Sequence, residues 1–290
     1  MPEPVVRSSR LGGKVAVVIG GGAVGTDPNL PGTGEASAIL LARSGATVAV
    51  VGRSAANTHR TVERIDAEGG RAVAVLGDVA TTAGCESVVA EAVAGLGRLD
   101  IVVNNLGLAV GGSVEDCDDA TWDDVIAVNL RAPIAVTRAA APHLRAAGGG
   151  SVINIGSVAG LQASGSAAYG TTKAGLVGLT REMASNLGPD NVRVNCVVPG
   201  HLQTPFGDRG GEAMREMRRQ ISMLRREGTG WDVGWTVVFL ASDEARFVTA
   251  ATIPVDGGVT EQLTFATVVR LQAAGATSAS ASPSAGTTLE

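Results

Sequence analysis

The feature that most constrains the fold is a regular alternation of short apolar segments with longer amphipathic ones, which begins at Lys14. The short segments are rich in β-branched residues and are predicted strands, at 14–19, 46–51, 71–76, 99–104, 151–156, 192–197 and 251–255. Their nearly continuous apolar character is what strands buried on both faces require. The longer segments are predicted helices, at 33–44, 55–68, 81–96, 119–147, 167–187 and 229–242.

A repeated strand–helix pattern implies a parallel sheet with right-handed crossovers and helices on both faces. We therefore predict an α/β fold, a doubly wound parallel sheet of about seven strands, in one domain over residues 1–262. Residues 263–290 are mostly small and polar, so they are predicted to form a disordered tail. Doubly wound sheets bind ligands at the carboxyl ends of their strands, so the functional residues are expected there.

The charge and the cysteines restrict the partners. The net charge of −5 and the pI near 5.3 give no electrostatic footprint for nucleic acid. No apolar run is long enough for a membrane span, and the N-terminus lacks the core of a signal peptide. Cys85, Cys117 and Cys196 form no C-x-x-C pair, which favours thiols in a reducing cytosol over disulfides or a metal site. We expect a cytoplasmic protein with no metal, membrane or nucleic-acid partner.

The first predicted strand runs into a glycine-rich turn that contains Gly20, Gly32 and Gly34. Such a turn lets the backbone approach a pyrophosphate held at a helix N-terminus, although a flexible surface loop would look similar. The second strand ends at Gly52-Arg53. An acidic residue in this place accepts the ribose hydroxyl of NAD, whereas an arginine accommodates the 2′-phosphate of NADP. The sequence thus favours NADP(H), with NAD(H) possible, against the alternative of a solvated surface arginine.

Tyr169 and Lys173 lie four residues apart at the start of a predicted helix, so their side chains share one face. A phenol titrates near pH ~10, which is too high for efficient proton transfer at neutral pH. A nearby ammonium group favours the phenolate and is expected to lower that pKa. Ser157 follows the fifth predicted strand and can reach the same point from the sheet. Together the three residues indicate acid–base chemistry.

With these motifs the sequence resembles the short-chain dehydrogenase/reductase family over nearly all of residues 12–260. The motifs occur in family order: the glycine-rich turn, Asp78-Val79, Asn104-Asn105-Leu106-Gly107, Asn129, Ser157, Tyr169 with Lys173, Pro199-Gly200, Thr204 and Val255-Asp256-Gly257-Gly258. The resemblance implies a Rossmann-type fold, a nicotinamide cofactor, and a small carbonyl or alcohol substrate. It also implies a homotetramer, or else a homodimer.

The resemblance further implies a role for each matching residue. Tyr169 would be the general acid or base, Lys173 would lower its pKa and bind the nicotinamide ribose, Ser157 would hold the substrate oxygen, and Asn129 would position a water. The remaining implied cofactor contacts are Asp78 and Val79 at the adenine, Asn105 at the adenosine ribose, Thr204 at the nicotinamide, and Gly107, Pro199 and Gly200 along the cleft. Capping or turn roles for Asp78 and Asn105, and a polar contact between helices for Asn129, are the alternatives.

The glycine-rich turn departs from the family pattern. Eleven residues separate Gly20 from Gly32, where the family has three, and the extra stretch is roughly Ala23–Pro31. Ile19 replaces the usual threonine, and Glu35 follows Gly34 in place of a basic residue. The insertion either loops out at the surface, which we favour because loops tolerate added length, or folds over the cofactor cleft.

The segment at about 200–228 is where the family builds its substrate lid. Three methionines there favour an apolar substrate, and six arginines could receive an acidic one, although we expect most of the arginines to pair with neighbouring carboxylates. We predict an NADPH-dependent ketone reductase. The alternatives are a catalytically silent cofactor-binding regulator and an epimerase or lyase on the same scaffold.

Overall fold

The computed structural model describes residues 8–206, 211–263, 265 and 267–272. The strands are β1 (Val15–Ile19), β2 (Thr47–Gly52), β3 (Arg71–Leu76), β4 (Ile101–Asn104), β5 (Gly150–Ile155), β6 (Val192–Pro199), β7 (Leu202–Gln203), β8 (Gly228–Thr229) and β9 (Thr252–Val255). The α-helices are α1 (Thr33–Arg43), α2 (Ala55–Ala67), α3 (Thr82–Leu96), α4 (Asp119–Ile126), α5 (Ala132–Ala146), α6 (Ala167–Leu187), α7 (Gly211–Ile221) and α8 (Gly230–Ala241).

The seven predicted strands form one parallel sheet in the order β3-β2-β1-β4-β5-β6-β9. Successive residues of β1 face opposite sides: Ala16 and Val18 pack in one apolar cluster with α1 and α8, while Val17 and Ile19 pack in the other with α3, α5 and α6. A strand covered on both faces needs apolar residues at every position, which is why these segments are continuously apolar. The predicted doubly wound α/β fold is confirmed.

The strand order reverses between β1 and β4, and the crevice at such a point is where these sheets bind ligands. The predicted functional residues follow the carboxyl ends of the strands that flank it. Gly20 follows β1, Arg53 follows β2, Asp78 follows β3, Asn105 follows β4 and Ser157 follows β5.

The helix predicted over 119–147 contains a wider turn in its middle. Residues Ala127–Arg131 form a π-helical turn between α4 and α5, and the N–H of Ala132 bonds to the carbonyl of Ala127. Pro133 follows immediately and has no N–H to donate to the preceding turn of an α-helix. The wider turn accommodates this break without ending the helix.

Two short strands that the sequence analysis did not predict lie at the ends of the expected lid. The two-residue strands β7 and β8 pair in parallel, with Leu202 opposite Gly228 and Gln203 opposite Thr229. They hold together the two ends of the segment 204–227, which carries α7. We use the name lid for residues 204–227.

The beginning of the predicted disordered tail differs from expectation. Residues 267–272 are helical, and the Arg270 guanidinium donates to the main-chain oxygen of Gln220 (2.9 Å) and to Oε1 of Gln262 (2.8 Å). These bonds, one to the end of α7 and one to the segment after β9, hold a stretch whose composition alone indicated disorder. Residues 273–290 lie outside the described residues. Within the described residues, none of the helices combines the length and apolar character needed to cross a membrane.

Candidate active site

A cleft of about 880 Å³ lies at the carboxyl ends of the strands. It is lined by almost every residue that the sequence analysis selected: Gly20, Gly32, Gly34, Arg53, Asp78, Val79, Asn105, Gly107, Ser157, Tyr169, Lys173, Pro199, Gly200 and Thr204. Asn129 is the selected residue that does not line it. The topology therefore gathers residues that are almost 200 positions apart in the chain around one space.

Lys173 is buried beneath this cleft, in the first turns of α6. Its Nζ donates to the main-chain oxygens of Leu106 (2.7 Å) and Ile155 (2.8 Å), which extend from the ends of β4 and β5. Burial lowers the pKa of Lys173 to about 8, because an ammonium loses solvation there. The side chain thus ties α6 to the centre of the sheet.

Tyr169 lies one helical turn before Lys173, whose Nζ is 5.8 Å from the centroid of the phenol ring. Burial raises the pKa of Tyr169, and a hydrogen bond with the Ser157 side chain opposes this by a smaller amount. This differs from the expectation that Lys173 lowers the pKa of Tyr169. The reason is physical: the ammonium is engaged by two carbonyl oxygens, while the phenol is removed from water.

Asn129 lies in the π-helical turn with its side chain fully buried. Its Oδ1 accepts from the N–H of Leu108 (2.7 Å), and its Nδ2 donates to the oxygen of Leu108 (3.0 Å) and to Oγ1 of Thr172 (3.1 Å). The side chain therefore joins the loop after β4 to the residue that precedes Lys173. It acts as a brace between these elements, which corresponds to the structural alternative considered from the sequence.

Asn105 holds together the two ends of the enlarged glycine-rich turn. Its Nδ2 donates to the oxygen of Gly20 (3.0 Å), and its Oδ1 accepts from the hydroxyl of Thr33 (2.7 Å). A side chain at Gly20 or Gly34 would overlap this junction, since each Cβ would meet main-chain or amide atoms far inside contact distance. The insertion therefore leaves the glycines in place around the N-terminus of α1.

Gly32 differs from these two glycines. Its φ of −64° is ordinary for any residue, and no described atom lies within 4 Å of the position that a Cβ would occupy. It caps the N-terminus of α1 and lines the cleft. None of the described protein contacts requires glycine at this position. A diphosphate that approaches the backbone closely would require it, because a side chain would occupy the same space. The phosphate end of the cleft thus fits a dinucleotide.

The opposite wall of the same end is formed by the residues after β2 and β3. Arg53 is exposed and lines the cleft, and none of the hydrogen bonds or ion pairs in the described part of the chain uses its side chain. Asp78 accepts a hydrogen bond from the N–H of Ala80 (3.0 Å), so it has the predicted turn role and still lines the cleft beside the buried Val79.

Several residues line the cleft that the sequence analysis did not assign to the site. They include Val24 of the insertion, Glu35, Gln162, Ser164, His201, Phe206 and Arg218. Glu35 is buried, which raises the pKa of its carboxyl against the opposing effect of Arg64, 3.5 Å away. Burial also lowers the pKa of His201, and the charge of Arg218 acts in the same direction. A motif-based search could not find these residues, because their places in the cleft depend on long-range folding.

The arginines of the lid mostly pair with carboxylates, as expected from the sequence. The buried carboxylate of Glu227 accepts from Arg215 (3.3 Å) and Arg218 (3.4 Å), and Arg219 lies 3.8 Å away. Of the described lid arginines, Arg218 is the one that lines the cleft. Arg209 lies outside the described residues.

Comparison with known proteins agrees with this site. A family model described as enoyl-(acyl carrier protein) reductase matches residues 29–260. The chain is 33% identical over 251 residues to a 3-oxoacyl-(acyl-carrier-protein) reductase of Thermotoga maritima, covering 86% of this chain and 99% of that one. It is 34% identical over 232 residues to a hydroxy(phenyl)methylsuccinyl-CoA dehydrogenase subunit of Thauera aromatica, covering 78% and 92%.

A crystal structure from Burkholderia xenovorans, described as that of a short-chain dehydrogenase/reductase, superposes with a TM-score of 0.83 at 38% identity. The match covers 88% of this chain and all of the other. The chain therefore belongs to the short-chain dehydrogenase/reductase family, whose members are NAD(P)-dependent oxidoreductases acting on CH–OH and C=O groups.

Proposed function

We propose that the protein reduces a ketone with NADPH, and oxidises the corresponding alcohol in reverse, with Tyr169 as the general acid or base. The observation that carries the proposal is that Ser157, Tyr169 and Lys173 line one cleft together with the glycine-rich turn and Arg53. The residues assigned to the cofactor and to catalysis from the sequence are part of this proposal. So are a homotetramer, with a homodimer as the alternative, and a cytoplasmic location.

NADPH, when bound, supplies the hydride that the substrate carbon receives. The chain supplies the proton and the geometry. Burial keeps the Tyr169 phenol protonated, so it can donate a proton to the carbonyl oxygen as negative charge develops there. Ser157 lines the cleft beside Tyr169, and we assign it the role of donating to the same oxygen. Lys173 holds the start of α6 against the sheet through Leu106 and Ile155, and so fixes the position of the phenol.

Asn129, which is buried outside the cleft, helps to hold Tyr169 and Lys173 in position. Its bonds to Leu108 and Thr172 fix the loop after β4 relative to α6. The proposal that it also positions a water rests on the family resemblance alone. Its side chain is already occupied by three hydrogen bonds, so we assign it first to the positioning of the loop.

The two relatives described above indicate which substrates to test first. Their names specify thioesters of an acyl carrier protein and of coenzyme A. We therefore propose 3-oxoacyl thioesters as the first ketones for assay with NADPH. A redox change in the substrate, matched by oxidation of NADPH, separates this proposal from an epimerase or a lyase.

Arg53→Ala is expected to weaken NADPH binding by about 10- to 100-fold, the scale of lost hydrogen bonds to a charged group. NADH binding should remain within about twofold, since NADH has no 2′-phosphate for the guanidinium to meet. Titration of the parent protein and of Arg53→Ala with NADPH and with NADH, followed by nicotinamide fluorescence, measures the two affinities. Equal losses for the two cofactors would remove the reason for choosing NADPH.

The pH dependence should differ between the two directions. Because burial raises the pKa of Tyr169, the phenol stays protonated through neutral pH, and ketone reduction is expected to be flat there. Alcohol oxidation needs the phenolate, so its rate should rise about tenfold per pH unit below that pKa. Tyr169 is the only tyrosine in the chain, so the absorbance of phenolate in an alkaline titration reports its pKa directly. A phenolate signal already complete at pH 8 would contradict this assignment.

A further inference from the structure

The insertion, residues 23–31, is bound to the rest of the fold through its main-chain oxygens. Three side chains donate to it: Arg60 Nη2 to Gly25 O (2.5 Å), Arg64 Nη1 to Pro28 O (2.8 Å) and Trp231 Nε1 to Asn29 O (3.2 Å). Arg60 and Arg64 belong to α2 and Trp231 belongs to α8, so side chains of two separate helices bind the loop. The loop is therefore attached along its length and not only at its ends.

The donors are themselves well ordered by packing. Trp231 is almost completely buried, and the guanidinium carbons of Arg43 and Arg64 lie 5.1 and 5.2 Å from the centroid of its ring. Arg64 also faces the carboxylates of Glu35 (3.5 Å) and Glu68 (3.6 Å). A loop bound by such fixed donors loses less entropy per hydrogen bond than one bound by free surface side chains.

The insertion also has internal structure. Asp27 forms a turn in which its Oδ1 accepts from the N–H of Asn29 (2.8 Å) and its main-chain oxygen accepts from that of Leu30 (3.2 Å). At the start of the loop, the N–H of Ala23 bonds to the oxygen of Asn57 in α2 (3.0 Å). This turn presents the carbonyls of Pro28 and Asn29 to Arg64 and Trp231.

One face of the insertion is directed at the cofactor cleft and the lid. Val24 is 53% exposed and lines the same cleft as Gly32 and Phe206. A Cβ on Gly25 would lie 2.6 Å from the ring of Pro205, at the start of the lid. Beyond the other end of the lid, at the first residue of α8, a Cβ on Gly230 would lie 2.5 Å from the oxygen of Pro31. The insertion thus lies against the start of the lid and against the start of α8, which follows the lid.

We propose that the insertion is a fixed wall of the cofactor cleft, that Val24 covers the diphosphate of the bound dinucleotide, and that Trp231, Arg64 and Arg60 are positioning residues for this wall. The proposal depends on the proposed function only in requiring that a dinucleotide occupies the cleft. The diphosphate is common to NADPH and NADH, so the wall should act equally on both. Its main effect should be on the dissociation rate of the cofactor, because most differences in affinity between related complexes arise there.

Trp231→Phe tests the positioning role by removing the indole N–H; because the smaller ring leaves a cavity at a buried site, the free energy of unfolding is measured beside the dissociation rates. The phenyl ring keeps an aromatic face for Arg43 and Arg64 but lacks the N–H that binds Asn29. Loss of one such bond should speed the dissociation of both NADPH and NADH by about two- to tenfold. Displacement of the bound cofactor, followed by stopped-flow fluorescence, measures both rates. Trp122→Phe is the matched control, since Trp122 lies in α4 and lines neither the cleft nor the insertion.

Val24→Ala tests the cover itself without a risk to folding, because the side chain is largely exposed. Removal of its two methyl groups should speed dissociation of both cofactors by about threefold, with no change in the free energy of unfolding. Val114→Ala is the control, at a valine that is 83% exposed and does not line the cleft.

Unchanged dissociation rates in either Trp231→Phe or Val24→Ala would overturn the proposal, and so would a change confined to NADPH. Failure of the proposed NADPH preference would look different. In that case Arg53→Ala would leave the ratio of NADPH to NADH affinity unchanged, while the insertion variants would still alter both dissociation rates by a common factor.

Discussion

Tyr169→Phe is expected to lower kcat for ketone reduction by about 10²- to 10⁴-fold, the usual contribution of a positioned general acid. The phenyl ring fills the same space, so the packing at the start of α6 and the affinity for NADPH should be nearly unchanged. The measurement is steady-state reduction of the best 3-oxoacyl thioester found in the screen, together with NADPH titration and thermal unfolding of the same variant.

The outcome of that experiment also decides between the classes of function. A silent cofactor-binding regulator would give no turnover with the parent protein and therefore no loss in the variant. An epimerase or lyase would lose activity on Tyr169→Phe, but its parent would turn over substrate without net oxidation of NADPH. If the parent protein reduces the ketone and Tyr169→Phe is equally active, another group must donate the proton. Among the titratable residues that line the cleft, His201 would then be the next candidate.

The sequence predicted those elements whose hydrophobic pattern directly reflects their burial in the fold. Strands such as β1 and β2 are apolar at every position because both faces are covered, and so their bounds were predicted to within two residues. Ser157, Tyr169 and Lys173 line one cleft, at the edge where the carboxyl ends of parallel strands meet and where the sequence analysis expected the functional residues.

The parts that were missed depend on contacts between distant segments. A two-residue strand such as β7 has no pattern to detect, and it exists because Leu202 and Gln203 find partners 26 residues later. Helix α7, by contrast, carries an apolar stripe at helical spacing, with Met214, Met217 and Ile221 on one face, and its periodicity was overlooked in a segment dominated by arginine and glutamate. The beginning of the tail is helical through bonds from Arg270 to Gln220 and Gln262, which composition does not reveal.

The insertion shows the same limit more clearly. Its prolines and its Asp-Pro step indicated a turn, and Asp27 does form one. Whether the loop would leave the fold or lie along the cleft depended on Arg60, Arg64 and Trp231, whose donors meet its carbonyls only after folding. Neither alternative from the sequence was complete: the loop is exposed at the surface, yet Val24 lines the cleft.

Gly34→Ala and Gly32→Ala should have different effects: the first is expected to lower the stability of the fold, and the second to lower the affinity for the cofactor. A Cβ on Gly34 would overlap the main-chain oxygen of Gly20 and the amide of Asn105, and neither can move without opening the turn. We expect the free energy of unfolding to fall by about 3 kcal/mol, as in severe overpacking. The gain from alanine in the helix, about 1 kcal/mol at most, is too small to offset this.

Gly32→Ala should behave in the opposite way. Its Cβ would meet no described atom and its backbone is unstrained, so the free energy of unfolding should change by no more than about 1 kcal/mol, the scale of an altered helix cap. The added methyl group would occupy the space through which the diphosphate approaches the N-terminus of α1, and affinity for NADPH and NADH should fall at least about tenfold. Urea unfolding gives the stabilities, and fluorescence titration gives the affinities. If Gly32→Ala bound both cofactors as tightly as the parent, the diphosphate would have to lie elsewhere in the cleft, and the wall assigned to Val24 would lose its ligand.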